Sequence, residues 1–197
     1  CLNYMGKPVL PKMINNICEY WPRTQKILEL CKENYEMGRK VIILSDRRNH
    51  LDMMLAWLLK NGIPSGLYVG GMKPFDLEQS QEKDVILGTF SMAAEGMDIP
   101  KLNTIILASP KSDVVQAVGR IMREKANVRK FHPLIIDIND THNNFQTFKR
   151  QCQKRITFYN KQKYKIYLYK TDGLIEEYKK VRKSKIAKKG VCLIDDD

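Results

Sequence analysis

The sequence predicts an α/β fold, an open parallel sheet flanked by helices and followed by a basic C-terminal extension of mixed helix and strand. Five short apolar runs, at 40–45, 66–69, 85–87, 104–107 and 133–138, alternate with helix-length segments. That is the pattern of parallel strands joined by crossover helices. Polar and small residues follow the runs at 46–50 and 88–89, and sheets of this kind bind ligands outside the carboxyl ends of their strands. The charge is also uneven. Residues 1–148 hold 19 Lys and Arg against 16 Asp and Glu, whereas residues 149–190 hold 15 against 3 within a net +12. A near-neutral body with a basic extension points to a polyanionic partner.

Residues 1–20 have mixed polarity, two prolines and no sustained period, so they read as a linker. A helix is expected from Trp21: Pro22 suits a first turn, Ile27, Leu28, Cys31 and Tyr35 share a face, and Gly38 ends it. Residues 40–45 (KVIILS) form a buried strand whose carboxyl end carries Asp46, Arg47, Arg48, Asn49 and His50. Arg47 and Arg48 are either nucleic-acid contacts or solvated residues at a helix start. The next helix, 51–60, is apolar through Leu51, Met54, Leu55, Leu58 and Leu59, a period that means core packing, and Asn61 and Gly62 close it. A short strand at 66–69 leads into Gly70 and Gly71, read as a turn, and a helix over 74–83 returns to the strand at 85–87. After the run at 104–107 a helix is expected over 112–124, then the last strand at 133–138. Right-handed crossovers leave few topologies for such an order.

In the extension, residues 145–160 predict a helix with Phe145, Phe148, Cys152 and Ile156 on one stripe and Lys149, Arg150, Lys154 and Arg155 on the others. Residues 164–169 (YKIYLY) alternate as a strand, and 174–187 read as another basic helix. Tyrosines interleaved with Lys161, Lys163 and Lys165 fit stacking on bases with pairing to phosphates. They equally fit an aromatic stripe docked on the core.

The helix over 112–124 carries the most chemistry. Gln116, Arg120 and Arg123 stand at i, i+4 and i+7, lining one face, with Val114, Val115, Val118 and Met122 opposite and Gly119 keeping the polar face open. Two adjacent guanidiniums repel unless a multivalent anion comes between them, and their planar forks suit phosphate oxygens. A solvated basic face is the alternative.

EGMDIP at 95–100, followed by QAVGRIMR at 116–123, resembles motifs V and VI of the superfamily 2 helicases and translocases, in their second RecA-like lobe. Both motifs occur in order, each after an expected strand. The resemblance implies that Gln116, Arg120 and Arg123 match a Q-x-x-G-R-x-x-R pattern whose arginines reach ATP phosphates across an interlobe cleft, Arg123 being the arginine finger. It implies that Gly96 and Asp98 touch the nucleotide and that Thr89 contacts a nucleic-acid phosphate. Residues 46–50 take the place of motif IV, near the nucleic-acid path. The implied division is an interlobe linker over 1–20, a RecA-like lobe over 21–140 and a basic accessory extension over 141–197. The basic tail is more loosely similar to the transcript-release helicases of large DNA viruses, the poxvirus and asfarvirus type.

No G-x-x-x-x-G-K-[ST] phosphate loop and no D-E-x-[DH] strand occurs in the sequence, so the chain is expected to be half of an ATPase and inactive alone. ATP and Mg²⁺ are expected mainly on a first RecA-like lobe in cis, and RNA or DNA is the expected partner. A start at Cys1 in place of Met is expected of a fragment. The rival expectation is a nucleic-acid-binding or interaction module without an ATPase role. His50, His132 and His142 show no metal-ligand spacing, and the five cysteines are scattered without C-x-x-C. These features predict reduced thiols, structural histidines and no bound metal. No apolar run approaches eighteen residues, so no membrane partner is expected. An intracellular, reducing compartment follows, host cytoplasm or virion if the source is viral.

Overall fold

The computed structural model describes residues 3–95, 99, 101–121, 130–140, 146–169 and 175–178. The chain divides into two compact units, Cys1–Phe158 and Tyr159–Asp197.

The first unit opens with a helix where a linker was expected. In α1 (Leu10–Glu19) Met13, Ile14, Ile17 and Cys18 are buried, an i, i+1, i+4, i+5 stripe too short to stand out beside two prolines. Pro11 sits in the first turn, where its missing N–H costs nothing. This stripe forms a small cluster with Phe148. The second helix, α2 (Trp21–Glu36), buries Ile27, Leu28 and Cys31. Gly38, at φ +80°, supplies the left-handed turn that ends it.

The sheet follows. Strand β1 (Lys40–Leu44) leads through α3 (Arg48–Lys60) to β2 (Ser65–Tyr68), then α4 (Pro74–Gln81) returns to β3 (Val85–Gly88). A short α5 (Phe90–Glu95) crosses to β4 (Leu102–Leu107), and α6 (Val115–Ile121) to β5 (Leu134–Asp137). The order is β2-β3-β1-β4-β5, parallel throughout. The inner strands β1, β3 and β4 have nearly every residue buried, as a sheet covered on both faces requires, while the edge strand β5 is half-buried. One face packs Val41, Ile43, Val85, Leu87 and Ile106 against Ile27, Leu28 and Cys31 of α2 and Leu51, Met54 and Leu58 of α3. Truncating Met54 to Ala there costs roughly 2–5 kcal/mol. Helices α5 and α6 pack together, and α6 packs on β4.

Several expected side chains change places. Helix α3 begins at Arg48, one turn earlier than expected, and Leu59 is 54% exposed, because Leu51, Met54 and Leu58 take the inner face. In α6 and the residue before it the buried stripe is Val114, Ala117 and Val118, whereas Val115 is half exposed. Met122 lies outside the described residues. Gly88 is required by close approach: a Cβ there would stand 3.0 Å from the Tyr68 carbonyl oxygen.

Helix α7 (Gln146–Lys161) matches the expected extension helix and buries Phe148 and Cys152, with Ile156 half-buried. Arg155, expected on a solvated stripe, is only 3% exposed. Phe145 lies outside the described residues.

In the second unit α7 ends with Lys163 in the left-handed region at φ 58°, its N–H donating to the Asn160 carbonyl. Two three-residue strands then pair antiparallel, β6 (Tyr167–Tyr169) with β7 (Ile175–Glu177). The helix expected over 174–187 is therefore corrected to a strand at Ile175–Glu177. There Tyr169 and Ile175 face each other across the ladder, and β-branched and aromatic neighbours favour pairing. Residues 179–187 lie outside the described residues.

Candidate functional site

Parallel strands end at one edge, so β1, β3 and β4 deliver their following loops side by side, with Leu44 registered on both Gly88 and Leu107. Asp46, Thr89 and the segment 108–114 are thereby brought together. The backbone N–H of Asp46 donates to Ser109 Oγ at 3.0 Å, and its Oδ2 stands 2.8 Å from Lys111 Nζ. The same ammonium lies 5.4 Å from the centre of the Phe90 ring. Thr89 is partly exposed and starts α5: its Oγ1 lies 3.4 Å from the Met92 N–H and 3.1 Å from Ser91 Oγ.

Arg47 and Arg48 differ. Arg47 bends onto α1, donating from Nε to Asn15 Oδ1 and from Nη2 to the Pro11 carbonyl at 3.4 Å. Arg48 is exposed, 3.6 Å from Asp52 one turn on, a geometry worth little energy. Both line a cleft of about 440 Å³ between α1 and α3, with Asn15, Glu19, Asn49 and Met53 among its walls. Beneath it the His50 ring lies between Thr24 Oγ1 and Ser45 Oγ, each at 3.1 Å. Burial, reinforced by the charge on Arg23, holds its pKa down to about 4, so the ring is neutral near pH 7. It is a core histidine with both nitrogens partnered.

On α6, Gln116 and Gly119 face solvent, and a Cβ at Gly119 would meet nothing within 4 Å. Arg120 is half-buried and reaches across to α5, donating from Nε to the Ala93 carbonyl at 3.2 Å and from Nη2 to the Ala94 carbonyl. A cation suits those carbonyls, which carry the negative end of the helix dipole. Sequence reasoning placed Arg120 toward a ligand and missed this hold on the neighbouring helix. Arg123, Gly96 and Asp98 lie outside the described residues.

Two largely buried ion pairs brace the same edge. Arg23 grips both carboxylate oxygens of Asp140 at 2.7 and 3.0 Å and donates to the Ala108 carbonyl at 2.7 Å. Arg155 does likewise with Asp137, at 2.8 and 2.7 Å, and donates to the Lys111 carbonyl. The signal for Arg155 was its spacing: it stands at i+7 from Phe148 and i+3 from Cys152, on their stripe. Cys31 and Cys152 are unbridged thiols whose burial pushes their pKa to about 12 and about 11, leaving them inert.

In the second unit Lys161, Lys163 and Lys165 are all exposed, as are Tyr167, Leu168, Tyr169 and Ile175 on the two strands. Among the described residues no group of acidic, histidine or cysteine side chains could hold a metal ion, and no helix is long and apolar enough to cross a membrane.

Residues 23–125 match the family described as the helicase conserved C-terminal domain. A protein of Acanthamoeba polyphaga mimivirus, provisionally described as an ATP-dependent RNA helicase, is 40% identical over 167 residues, 83% of this chain and 31% of its own length. An African swine fever virus protein with the same provisional description is 28% identical over 102 residues, 51% of this chain and 19% of its own. The chain thus spans less than a third of the length of these relatives. Among solved structures, T4 UvsW superimposes on 80% of this chain and 36% of its own, with TM-score 0.61 and 17% identity. The Pyrococcus furiosus Hef helicase domain superimposes on 67% of this chain and 28% of its own, with TM-score 0.51 and 18% identity. At such identities the likeness is one of fold.

Proposed function

Because the chain belongs to the helicase conserved C-terminal domain family, we propose that it is the second RecA-like motor lobe of an ATP-dependent RNA helicase of superfamily 2. RNA is chosen over DNA because the mimivirus and African swine fever virus relatives carry that description. Residues 21–140 act as the motor lobe and 141–197 as an accessory extension, with 1–20 joining them to a first lobe in cis.

ATP and Mg²⁺ are held mainly by that first lobe, since this chain has no phosphate loop. ATP supplies the phosphoanhydride whose cleavage drives the cycle. The donor set here fits half of such a site: an amide and a guanidinium one turn apart on α6, with Arg123 three residues further along the sequence. Gln116, Arg120 and Arg123 neutralise phosphate charge when the cleft closes, Arg120 exchanging its hold on the α5 carbonyls for phosphate oxygens. Gly96 and Asp98 line the nucleotide. Thr89 and Arg48 contact the nucleic-acid backbone, with Arg47 beside them. Lys161, Lys163 and Lys165 add phosphate contacts, and Tyr167 and Tyr169 offer faces for stacking.

The observation that carries this reading is the coupling of α5 and α6. Thr89, the proposed nucleic-acid contact, stands at one end of α5, and the other end is held by Arg120 of the helix assigned to the nucleotide. The test is Arg123→Ala in the full-length protein. A finger stabilises charge developing on the transferring phosphoryl group, so RNA-stimulated turnover falls roughly 10³- to 10⁵-fold with RNA affinity unchanged. Arg123→Lys rescues poorly because it keeps the charge and loses the fork. Weakened RNA binding with maximal turnover intact would instead make Arg123 a backbone contact, and the chain an RNA-binding module without an ATPase role.

A further inference from the structure

We infer that Arg155, on the helix that opens the basic extension, is a positioning residue for α6, acting through the backbone of the loop that leads into it. The inference rests on the proposed role of α6 at the nucleotide.

The Arg155 guanidinium is buried, and its fork spans two chain segments: Nε and Nη2 hold the Asp137 carboxylate and Nη1 donates to the Lys111 carbonyl. Asp137 is the last residue of β5, and Lys111 lies four residues before α6. One planar group therefore sets the distance between the edge strand and the loop, a task a flexible ammonium performs poorly. The Lys111 side chain is held from the other side by Asp46, at 2.8 Å, and stands over the Phe90 ring. Three residues earlier the Ala108 carbonyl accepts from Arg23, itself neutralised by Asp140. The loop 108–114 has no regular structure of its own, yet it is pinned to α2, to the loop after β1, to α5 and to α7.

Stability alone does not explain this arrangement. Burying an arginine and a carboxylate is expensive, and an apolar pair of similar volume is often as stable or more so. What the pair provides is direction. The loop sets where Gln116 and Arg120 stand, and catalytic groups lose effect when displaced by an ångström. On this account α7 belongs to the motor as much as to the RNA grip, and the extension cannot be trimmed at the last strand without disturbing the chemistry.

The experiment uses the full-length protein. Arg155→Lys keeps a charge beside Asp137 but cannot also reach the Lys111 carbonyl. Maximal RNA-stimulated ATP turnover falls roughly 10²-fold, while the RNA concentration for half-maximal stimulation stays at the wild-type value. A second variant, Arg155→Met with Asp137→Leu, removes the carboxylate along with its partner. It melts within a few degrees of wild type and shows the same loss. Amide hydrogen exchange over residues 108–121 quickens in both. Wild-type turnover in either folded variant would overturn the inference, as would a loss confined to RNA affinity. Arg120→Ala separates the two layers. If it is inactive while Arg155→Lys is active, the positioning role alone fails. If Arg120→Ala is itself fully active, the reading of α6 fails.

Discussion

The carboxyl edge of the five-stranded sheet and the two-stranded hairpin are both rich in charge, and they treat it in opposite ways. At the sheet edge Arg23, Asp46, Lys111, Arg120 and Arg155 are each fixed by partners, often on two chain segments at once. In the hairpin unit Lys161, Lys163 and Lys165 are exposed, and all six strand residues face solvent. The difference matches the division of labour proposed for them. Stabilising a transition state demands groups held to a fraction of an ångström. Gripping a polyanion depends on how many phosphates are neutralised, so exposed lysines serve.

The contrast can be broken first through stability. Arg23→Met leaves the largely buried Asp140 without its partner and costs about 3–5 kcal/mol in urea unfolding. Ile175→Ala, at an exposed strand position, shifts it by under about 0.5 kcal/mol. Equal effects would mean that the sheet edge is no more tightly braced than the hairpin.

A smaller effect comes from His50. Its folded pKa, about 4, lies below the ordinary 6.5, so between those values the unfolded chain binds a proton that the folded chain refuses. Stability therefore falls as pH drops through this window, by about 3 kcal/mol at its lower end. His50→Gln, which cannot titrate, flattens that part of the profile. An unchanged slope in this variant would assign the acid sensitivity to other groups.

Much of the fold was legible because parallel strands and their covering helices write plain patterns. KVIIL, VILG and LNTIIL are buried throughout, and Leu51, Met54 and Leu58 mark the inner face of α3. Helix α1 was not legible: its four buried residues find their partner in Phe148, more than a hundred positions away. The β6–β7 pair was half legible, since YLY alternates but IEE reads as helix until Tyr169 faces Ile175. At the site, Gln116 and Arg120 could be read from helical spacing, but not the hold of Arg120 on Ala93 and Ala94. Arg155 was misread because a charged residue on an amphipathic helix is ordinarily solvated, and only tertiary structure supplies the Asp137 carboxylate that lets it be buried.

The most direct test of the division between chemistry and grip crosses two variants of the full-length protein, Arg120→Ala and the triple substitution of Lys161, Lys163 and Lys165 by Gln. For each, maximal RNA-stimulated ATP turnover and the salt dependence of RNA binding are measured together. Arg120→Ala is predicted to lose turnover and keep the salt slope. The triple variant is predicted to keep maximal turnover and lose up to about 2 from the log–log slope, near 0.7 for each phosphate no longer neutralised. Turnover lost by the lysine variant and a slope flattened by Arg120→Ala would contradict the account.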